Sequence, residues 1–353
     1  MSAQSPKIAP ALLPAASMDA SAEAVLELDD VALDASAMPG EEFEVRTHAL
    51  GAQAHGQRLD KVLATLVPEF SRNHLQGLIE QGEVTLDGVS GQSVSRKARA
   101  GQVLVVRLVP PAESLAFRAE PIELDIVYQD AHVLVVNKPA GMVVHPAAGN
   151  WSGTLLNGLL ALDGRAAHLP RAGIVHRLDK DTSGLMVVGR SLEAVTALVR
   201  DMAQRDVRRR YVALVHGDVG SSPFVIDAPI GRDPSTRVRM AVQAGGKPAR
   251  TDVYPVAFAG GVSAVRCKLH TGRTHQIRVH LSQRGHPLLA DAVYGGVPGL
   301  GLLRQALHAV ELGFEHPVTR EPLLFRVPPP ADLAQAWAQI APDHAPEQTS
   351  VSG

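Results

Sequence analysis

The chain has 353 residues, of which 45% are hydrophobic and 4% are aromatic, and its formal net charge at pH 7 is −2. This length predicts about two domains, and the composition is sufficient for a hydrophobic core. Because Cys267 is the only cysteine, an intrachain disulfide is excluded and a reducing compartment is expected. The sequence has neither an apolar stretch of membrane-spanning length nor a recognisable secretory signal. We therefore expect a cytoplasmic protein without a membrane partner.

The charge is distributed unevenly along the chain. Residues 1–45 contain nine acidic residues and one basic residue, and residues 331–353 contain three acidic residues and no Lys or Arg. The body between them, residues 46–330, contains 33 basic and 24 acidic residues, a net charge of +9. A basic body with acidic ends favours a polyanionic partner, although an ordinary solvated surface remains an alternative. Residues 1–45 and 342–353 are predicted to be disordered tails.

Residues 46–109 are predicted to form a small α/β domain. Apolar residues at helical spacing predict one helix that ends before Pro68 and a second helix that Ser71 can cap. Two β-type runs follow, at residues 84–88 and 103–108. The predicted order is therefore two helices followed by two strands.

Residues 122–341 are predicted to form a larger domain, after a proline-containing linker at residues 110–121. Leucine, valine and methionine at helical spacing predict two helices in it, near residues 155–160 and 192–202. The predicted strands lie at residues 124–128, 132–136, 174–176, 185–189, 210–216, 252–258, 262–270 and 276–281. Strands outnumber helices and no regular βαβ repeat occurs, which predicts an α+β domain with a mainly antiparallel sheet.

The stretch GIVHRLDKDTSG, at residues 173–184, is the most informative part of the chain. It places a compact polar loop between two short apolar runs, which predicts two buried strands with charged side chains at one edge. Asp179 lies among Arg and Lys residues, whose positive charge favours the ionised carboxylate. An ionised, oriented Asp suits covalent or general base catalysis. These residues alone leave a second interpretation open, in which they only tie a tight turn.

Three further stretches contain candidate functional residues. In VVNKPAG, at residues 135–141, Lys138 begins a turn that either contacts a ligand or is purely structural. In RRRYVALVHG, at residues 208–217, the arginines suit phosphate contacts or a solvated charge run, and Tyr211 suits base stacking or core packing. In LHTGRTHQIRVH, at residues 269–280, basic residues lie on both faces of the predicted strand. The histidine spacing fits no usual zinc site, so no metal is expected.

Together these stretches resemble the pseudouridine synthases that modify ribosomal and transfer RNA, and HRLDKDTSG is similar to the signature of that family. The resemblance covers residues 46–330 and implies a mixed, mainly antiparallel central sheet. The implied reaction isomerises uridine to pseudouridine within RNA and needs no cofactor. By resemblance, Asp179 is the catalytic residue, Tyr211 is the active-site tyrosine, and Arg278 is the arginine that holds the catalytic carboxylate.

The resemblance also suggests residues that contact the RNA. Arg177, beside the catalytic residue, is expected to occupy the space that a flipped uridine vacates. Arg273 is the second choice for the arginine that holds the carboxylate, and it is expected to contact RNA. Lys138 is a further expected RNA contact.

The small domain is similar to the RNA-binding module named from ribosomal protein S4. Its expected phosphate contacts, which would position the RNA but read little of its sequence, are Arg58, Lys61, Arg72, His74, Arg96, Lys97 and Arg99. A generic α/β unit with solvated charges is the alternative.

Within the family, the sequence is most similar to the branch that modifies large-subunit ribosomal RNA. This similarity implies large-subunit ribosomal RNA or a pre-ribosomal subunit as the partner and clustered uridines of helix 69 as the target. We expect the protein to be a monomer. Two alternatives are a synthase that acts on other ribosomal or transfer RNA uridines, and a non-catalytic RNA-binding factor for ribosome assembly. A nuclease or glycosidase is disfavoured, because such enzymes usually need a metal or a second catalytic carboxylate.

Overall fold

The computed structural model describes residues 44–68, 70–90, 92–108, 116–147, 149–236 and 239–347. Residues 1–43 and 348–353 of the two predicted tails and residues 110–115 of the predicted linker lie outside these described residues. The chain divides into two compact units. The smaller unit contains the described residues of 44–119 together with His145–Ser152, and the larger unit contains the rest. The segment His145–Ser152, which the sequence analysis assigns to the larger domain, therefore groups with the smaller unit.

The smaller unit contains two helices and an antiparallel sheet. Its elements are β1 (Glu44–Ala49), α1 (Leu59–Leu66), α2 (Arg72–Glu80), β2 (Val84–Leu86) and β3 (Val103–Leu108), with the strand order β1-β3-β2. Both predicted helices are confirmed, and the Ser71 hydroxyl caps α2 by accepting a hydrogen bond from the backbone N–H of His74 at 3.3 Å. Leu59, Leu63 and Leu104 are fully buried in the core that these elements share. Strand β1 is an addition to the predicted elements.

The larger unit is built on one sheet, with the strand order β4-β5-β6-β13-β7-β12-β11-β8 and with β14 paired to β13. Its strands are β4 (Ile126–Gln129), β5 (Val133–Lys138), β6 (Ser183–Gly189), β7 (Arg208–His216), β8 (Phe224–Asp227), β9 (Ile230–Arg232), β10 (Met240–Val242), β11 (Arg250–Ala259), β12 (Val262–Leu269), β13 (Leu307–Glu315) and β14 (Pro322–Arg326). Its helices are α3 (Leu155–Leu162), α4 (Leu192–Gln204), α5 (Gln276–Gln283) and α6 (Ala331–Ile340). Strands β9 and β10 form a separate hairpin.

Among the described strands of this sheet, every neighbouring pair is antiparallel except β6 and β13, which run parallel. The predicted mixed and mainly antiparallel α+β architecture is therefore confirmed. Both predicted helices of this domain are also present, as α3 and α4. None of the helices in the described ranges combines the length and the apolar character that a membrane crossing requires.

Two predicted strands are wrong. Residues 276–281 form the first turns of α5, and residues 174–176 contribute only an isolated bridge between Ile174 and Val188. The α5 sequence QIRVHL alternates apolar and polar residues like a strand, but all six of these residues are buried. A helix buried on all sides does not need a polar face, so its sequence lacks the period that identifies surface helices.

The parallel pairing of β6 with β13 depends on a glycine. Ser183 lies opposite His308, and Gly184 lies opposite Ala309. The backbone φ of Gly184 is 117°, and a Cβ atom at this position would lie 2.3 Å from the carbonyl oxygen of Ala309. Only glycine allows this conformation and this close approach. The pairing joins the strands β4-β5-β6 to the rest of the sheet.

Replacing Gly184 by Ala should therefore separate β6 from β13. We expect the free energy of unfolding to fall by about 3 kcal/mol or more, because backbone strain and overpacking add. The measurement is denaturant unfolding of the purified protein. Gly220→Ala is the matched control, since Gly220 has φ of 81° but no atom within 4 Å of an added Cβ, and it should cost only about 1 kcal/mol. Equal effects of the two substitutions would contradict the packing argument.

Candidate active site

The loop of residues 176–183, here called the Asp179 loop, leads directly into β6. Its central carboxylate, Asp179, has a side chain that is 14% exposed. Arg278, on α5, donates a hydrogen bond from Nη1 to Asp179 Oδ2 at 2.9 Å. The structure thus joins the predicted catalytic residue to the arginine predicted to hold it.

Asp291 holds Arg278 in place from the other side. It accepts hydrogen bonds from Arg278 Nε at 2.7 Å and from Nη2 at 2.8 Å, a bidentate pair that fixes the plane of the guanidinium. The ring of Tyr294 lies against the same guanidinium, 5.0 Å from its central carbon. Because both contacts restrain Arg278, its remaining Nη1 has a fixed direction toward Asp179.

His275 approaches the second oxygen of the Asp179 carboxylate. It precedes α5 in the left-handed conformation, with φ of 56°, and its Nε2 is 3.9 Å from Asp179 Oδ1. Its Nδ1 shares a hydrogen bond of 2.8 Å with the Tyr294 hydroxyl, which also accepts a hydrogen bond from the backbone N–H of Met240. The ring is thereby oriented with Nε2 toward Asp179.

The charges around Asp179 keep it ionised. Burial alone would raise the pKa of Asp179, but its electrostatic interactions with His275, Arg278 and Arg177 and the hydrogen bond from Arg278 outweigh burial and hold the pKa below its ordinary value. Burial lowers the pKa of His275, so this ring is uncharged at neutral pH. Arginine remains charged at that pH, and Arg278 and Arg177 are therefore the cations that act on Asp179 there.

Tyr211 lies on β7 and is 5% exposed. Its ring belongs to the main hydrophobic cluster of the larger unit, and its hydroxyl makes no hydrogen bond with any described residue. Burial raises the pKa of Tyr211 to about 12, with Arg209 acting against this shift and Asp179 adding to it. The phenol is therefore neutral at pH 7, and its hydroxyl is available to a substrate.

Arg177 and Arg273 have different surroundings. Arg177 is exposed and has no hydrogen bond or ion pair with any described residue, so its guanidinium is available next to Asp179. The Nε of Arg273 donates to the carbonyl oxygen of Pro248 at 3.2 Å. Arg278, rather than Arg273, is the arginine that binds Asp179.

The surroundings of Lys138 in the structure do not fit the RNA contact that was expected from the sequence. Its side chain is 1% exposed, and its Nζ donates to the carbonyl oxygens of Pro139 at 2.8 Å, Met142 at 2.9 Å and Lys180 at 3.0 Å. These bonds use all three donors of the ammonium group, so none is left for a phosphate. Lys138 instead ties the turn after β5 to the Asp179 loop, which is the structural role that the sequence left open.

The histidines that could suggest a metal site make other contacts. His270 Nε2 is 2.7 Å from Asp252 Oδ2, and His280 Nδ1 is 2.9 Å from Thr251 Oγ1. In the described part of the chain, no three His, Cys, Asp or Glu side chains are grouped as a metal ion requires.

Two of the predicted phosphate contacts of the smaller unit, Arg58 and Arg72, bind a buried carboxylate. Asp60 is fully buried and accepts hydrogen bonds from Arg58 Nε at 3.0 Å and from Arg72 Nε at 3.1 Å. The two arginine side chains are 46% and 49% exposed, and Lys61 and Lys97 are also exposed. Asp60 therefore orients two arginines at the surface, where parts of both guanidinium groups remain accessible. Their role as phosphate contacts stays a prediction.

Comparison with known proteins identifies the family. The RNA pseudouridylate synthase family matches residues 132–283, and the S4 domain matches residues 57–104. The ribosomal large subunit pseudouridine synthase D of Neisseria meningitidis serogroup B is 50% identical over 293 residues, which cover 79% of this chain and 77% of that protein. The proteins of the same name from Xanthomonas campestris pv. campestris and Vibrio vulnificus are each 45% identical, covering 83% and 82% of this chain and 91% and 92% of theirs.

This chain belongs to the RNA pseudouridylate synthase family and is an isomerase with an S4 domain. The family that the sequence motifs suggested is thus confirmed. Sequence reasoning missed three residues around the carboxylate: Asp291, His275 and Tyr294. The segment ADAVYGG, at residues 290–296, contains two of them. It resembles a family segment, but nothing in its own pattern relates it to Asp179.

The charge balance at Asp179 predicts a shift in the pH profile of an Arg278→Gln variant. Without this cation and its hydrogen bond, the effect of burial is opposed less strongly, so the pKa of Asp179 should rise. If the ionised Asp179 carboxylate is the active form, as the sequence predicts, the rate falls as pH drops through this pKa, and the acid limb should move to higher pH. The measurement is the single-turnover rate of pseudouridine formation as a function of pH.

Arg284→Gln is the control for this experiment, since Arg284 follows the same helix but contacts the ring of Phe224 rather than Asp179. Its acid limb should coincide with that of the unaltered protein. An unmoved limb in the Arg278→Gln variant would contradict the assigned charge balance.

Proposed function

We propose that this protein converts uridine to pseudouridine in large-subunit ribosomal RNA, with Asp179 as the catalytic residue. The observation that carries the assignment of Asp179 is the fixed contact with Arg278, which is itself restrained by Asp291. An oriented carboxylate with a depressed pKa is ionised at neutral pH and can attack or start the loss of the base without prior deprotonation.

The proposed mechanism begins with extrusion of the target uridine from its stack, at a cost of a few kcal/mol. The exposed Arg177 occupies the vacated space and offsets part of that cost. Asp179 then attacks C1′ of the ribose or initiates loss of the base, and Arg278 holds its carboxylate throughout. Tyr211 stacks on the base and helps to remove the C5 proton after the base has turned and rejoined the sugar through C5. The reaction is an isomerisation and consumes no cofactor.

The proposed substrate follows from the relatives. Proteins that are 45–50% identical to this chain carry the name ribosomal large subunit pseudouridine synthase D, and the S4 domain suits phosphate contacts with structured RNA. We further propose that the targets are the clustered uridines of the helix 69 stem-loop and that the protein acts in the cytoplasm.

Replacing Asp179 by Asn should abolish conversion. We expect the single-turnover rate to fall at least about 10⁴-fold, since the amide keeps the shape but removes the reacting charge. The assay incubates purified protein with a large-subunit RNA transcript and detects pseudouridine at each position. Asp181→Asn, in the same loop, is the matched control and should retain most of the rate. Near-normal conversion by the Asp179→Asn protein would refute its proposed role.

The target assignment has its own test. Deleting the gene should remove pseudouridine from the helix 69 uridines of large-subunit RNA and leave other modified positions unchanged. Site-resolved mapping of ribosomal RNA from the deletion strain gives the result, and a plasmid copy of the gene is the control that should restore the sites. Unchanged helix 69 sites would refute the target while leaving the enzyme class intact.

A further inference from the structure

The arginine run at residues 208–210 is divided between the two faces of the sheet. Arg208 and Arg210 approach Glu311 on β13, at 4.0 Å and 3.5 Å from its Oε1. Arg209 lies between them on β7, so its side chain points to the opposite face. That face is the one on which Tyr211 packs, because side chains two residues apart in a strand share a face. The three arginines therefore do not form one surface, whether for phosphate contacts or for contact with solvent.

Arg209 is a buried cation without a counter-charge. It is 7% exposed, and no described residue forms an ion pair or hydrogen bond with it. Its Nε is fully enclosed and has no hydrogen-bond partner. Such a group destabilises the folded protein, since a buried charge that is neither paired nor hydrogen-bonded retains its desolvation cost. Because the unpaired Arg209 does not stabilise the fold, its presence indicates a role in function.

The guanidinium lies under an exposed turn next to the proposed active site. A Cβ atom at Gly272 would be 2.6 Å from Arg209 Nη1, and Gly272 itself is exposed. The charge of Arg209 acts on two neighbouring residues, Tyr211 and His176. It opposes the rise in the pKa of Tyr211, and it adds to the effect of burial that lowers the pKa of His176 to about 3. Arg209 therefore lies close to Tyr211, with its two Nη groups not fully enclosed.

We propose that Arg209 is a further catalytic residue, which donates hydrogen bonds from its Nη groups to a carbonyl oxygen of the detached uracil. This inference rests on the proposed active site around Asp179. Its ligand is the base of the flipped uridine, because the guanidinium lies beside the ring that is proposed to stack on that base.

The chemistry of the reaction requires such a cation. When the N1–C1′ bond breaks, both of its electrons leave with N1, and the base becomes a uracil anion whose charge is shared with O2 and O4. C1′ meanwhile bonds to an Asp179 oxygen, or C2′ loses a proton to it. As C5 rejoins C1′, the bond between C1′ and the Asp179 oxygen breaks, or C2′ takes its proton back from Asp179. The C5 proton then leaves and N1 takes up a proton, so that the product is an isomer of the substrate and Asp179 is a free carboxylate again. Between the first and last steps the base anion needs stabilisation, and Asp179, which is then either bonded to C1′ or protonated, offers it no positive charge.

The unpaired charge of the free protein is suited to this role. In a site with little water, a cation fixed where negative charge develops lowers the barrier strongly, and the loss of one such donor typically slows catalysis about 10²- to 10³-fold. No described residue forms a hydrogen bond with the Arg209 side chain. The base anion would therefore be its hydrogen-bond partner. The negative charge of the uracil anion and the positive charge of Arg209 would then compensate each other.

The test compares Arg209→Met, Arg209→Lys and Arg208→Met with the unaltered protein. Arg209→Met should lower the single-turnover rate of pseudouridine formation about 10²- to 10³-fold at saturating protein, with RNA affinity unchanged. Its melting temperature should be equal or higher, because an unpaired buried charge has been replaced by an apolar side chain. Arg209→Lys keeps a positive charge and should lose far less of the rate. Arg208→Met, on the opposite face, should leave the rate unchanged.

A substrate analogue separates stabilisation of the anion from a purely structural role. Fluorine at C5 stabilises the uracil anion, so RNA with 5-fluorouridine depends less on the cation. The deficit of Arg209→Met, measured as loss of the intact nucleoside in a single turnover, should therefore be smaller than with uridine. A misfolded protein would show the same deficit with both substrates.

Four results would overturn the proposal: an Arg209→Met rate near that of the unaltered protein, an Arg209→Lys rate as low as that of Arg209→Met, equal deficits with both substrates, or weakened RNA binding with a normal rate at saturation. The last result would indicate a phosphate contact. Failure of the unaltered protein to convert uridine, or normal conversion by Asp179→Asn, would instead refute the proposed function.

Discussion

The proposed mechanism depends on a chain of buried charges, in which Arg278 is shared by Asp179 and Asp291. The two carboxylates have different tasks. Asp291 is 1% exposed and uses both of its oxygens on the guanidinium, so it neutralises and orients the cation. Asp179 receives only one hydrogen bond from Arg278 and keeps its other oxygen for a substrate. A lone carboxylate in this place would take up a proton, because burial disfavours its charged form.

The backbone around Asp179 is held as firmly as its side chain. The buried Lys138 binds the carbonyl oxygen of Lys180, and Arg304 binds that of Asp181 at 3.0 Å. Gly184, at the end of the loop, enters the parallel ladder between β6 and β13. The Asp179 loop is thus anchored on the C-terminal side of its carboxylate, and little reorganisation is needed when substrate binds. Lys138, for which the family resemblance suggested an RNA contact, is here part of the support.

The alternation of side chains along β7 separates two kinds of arginine. One face places Arg208 and Arg210 beside Glu311, where the charges compensate each other. The other face places Arg209 next to Tyr211, where nothing in the described structure compensates it. His176 adds no charge of its own near this arginine, because burial and the charge of Arg209 lower its pKa to about 3 and the ring stays neutral. The site that we propose for a negative reaction intermediate therefore contains a positive charge without a partner among the described residues.

The fold class, the helices of the smaller unit and the family could all be predicted from the amino-acid sequence, because they follow from local periodicity and from a continuous signature around Asp179. The pairing of Asp179 with Arg278 was predictable only through resemblance, since the two residues are 99 positions apart. No local pattern indicated that α5 is a helix, that Lys138 is buried, that Asp291 holds Arg278, or that Arg209 has no partner among the described residues. These features depend on which segments meet in space, and burial on all sides removes the polar face by which a helix is identified in a sequence.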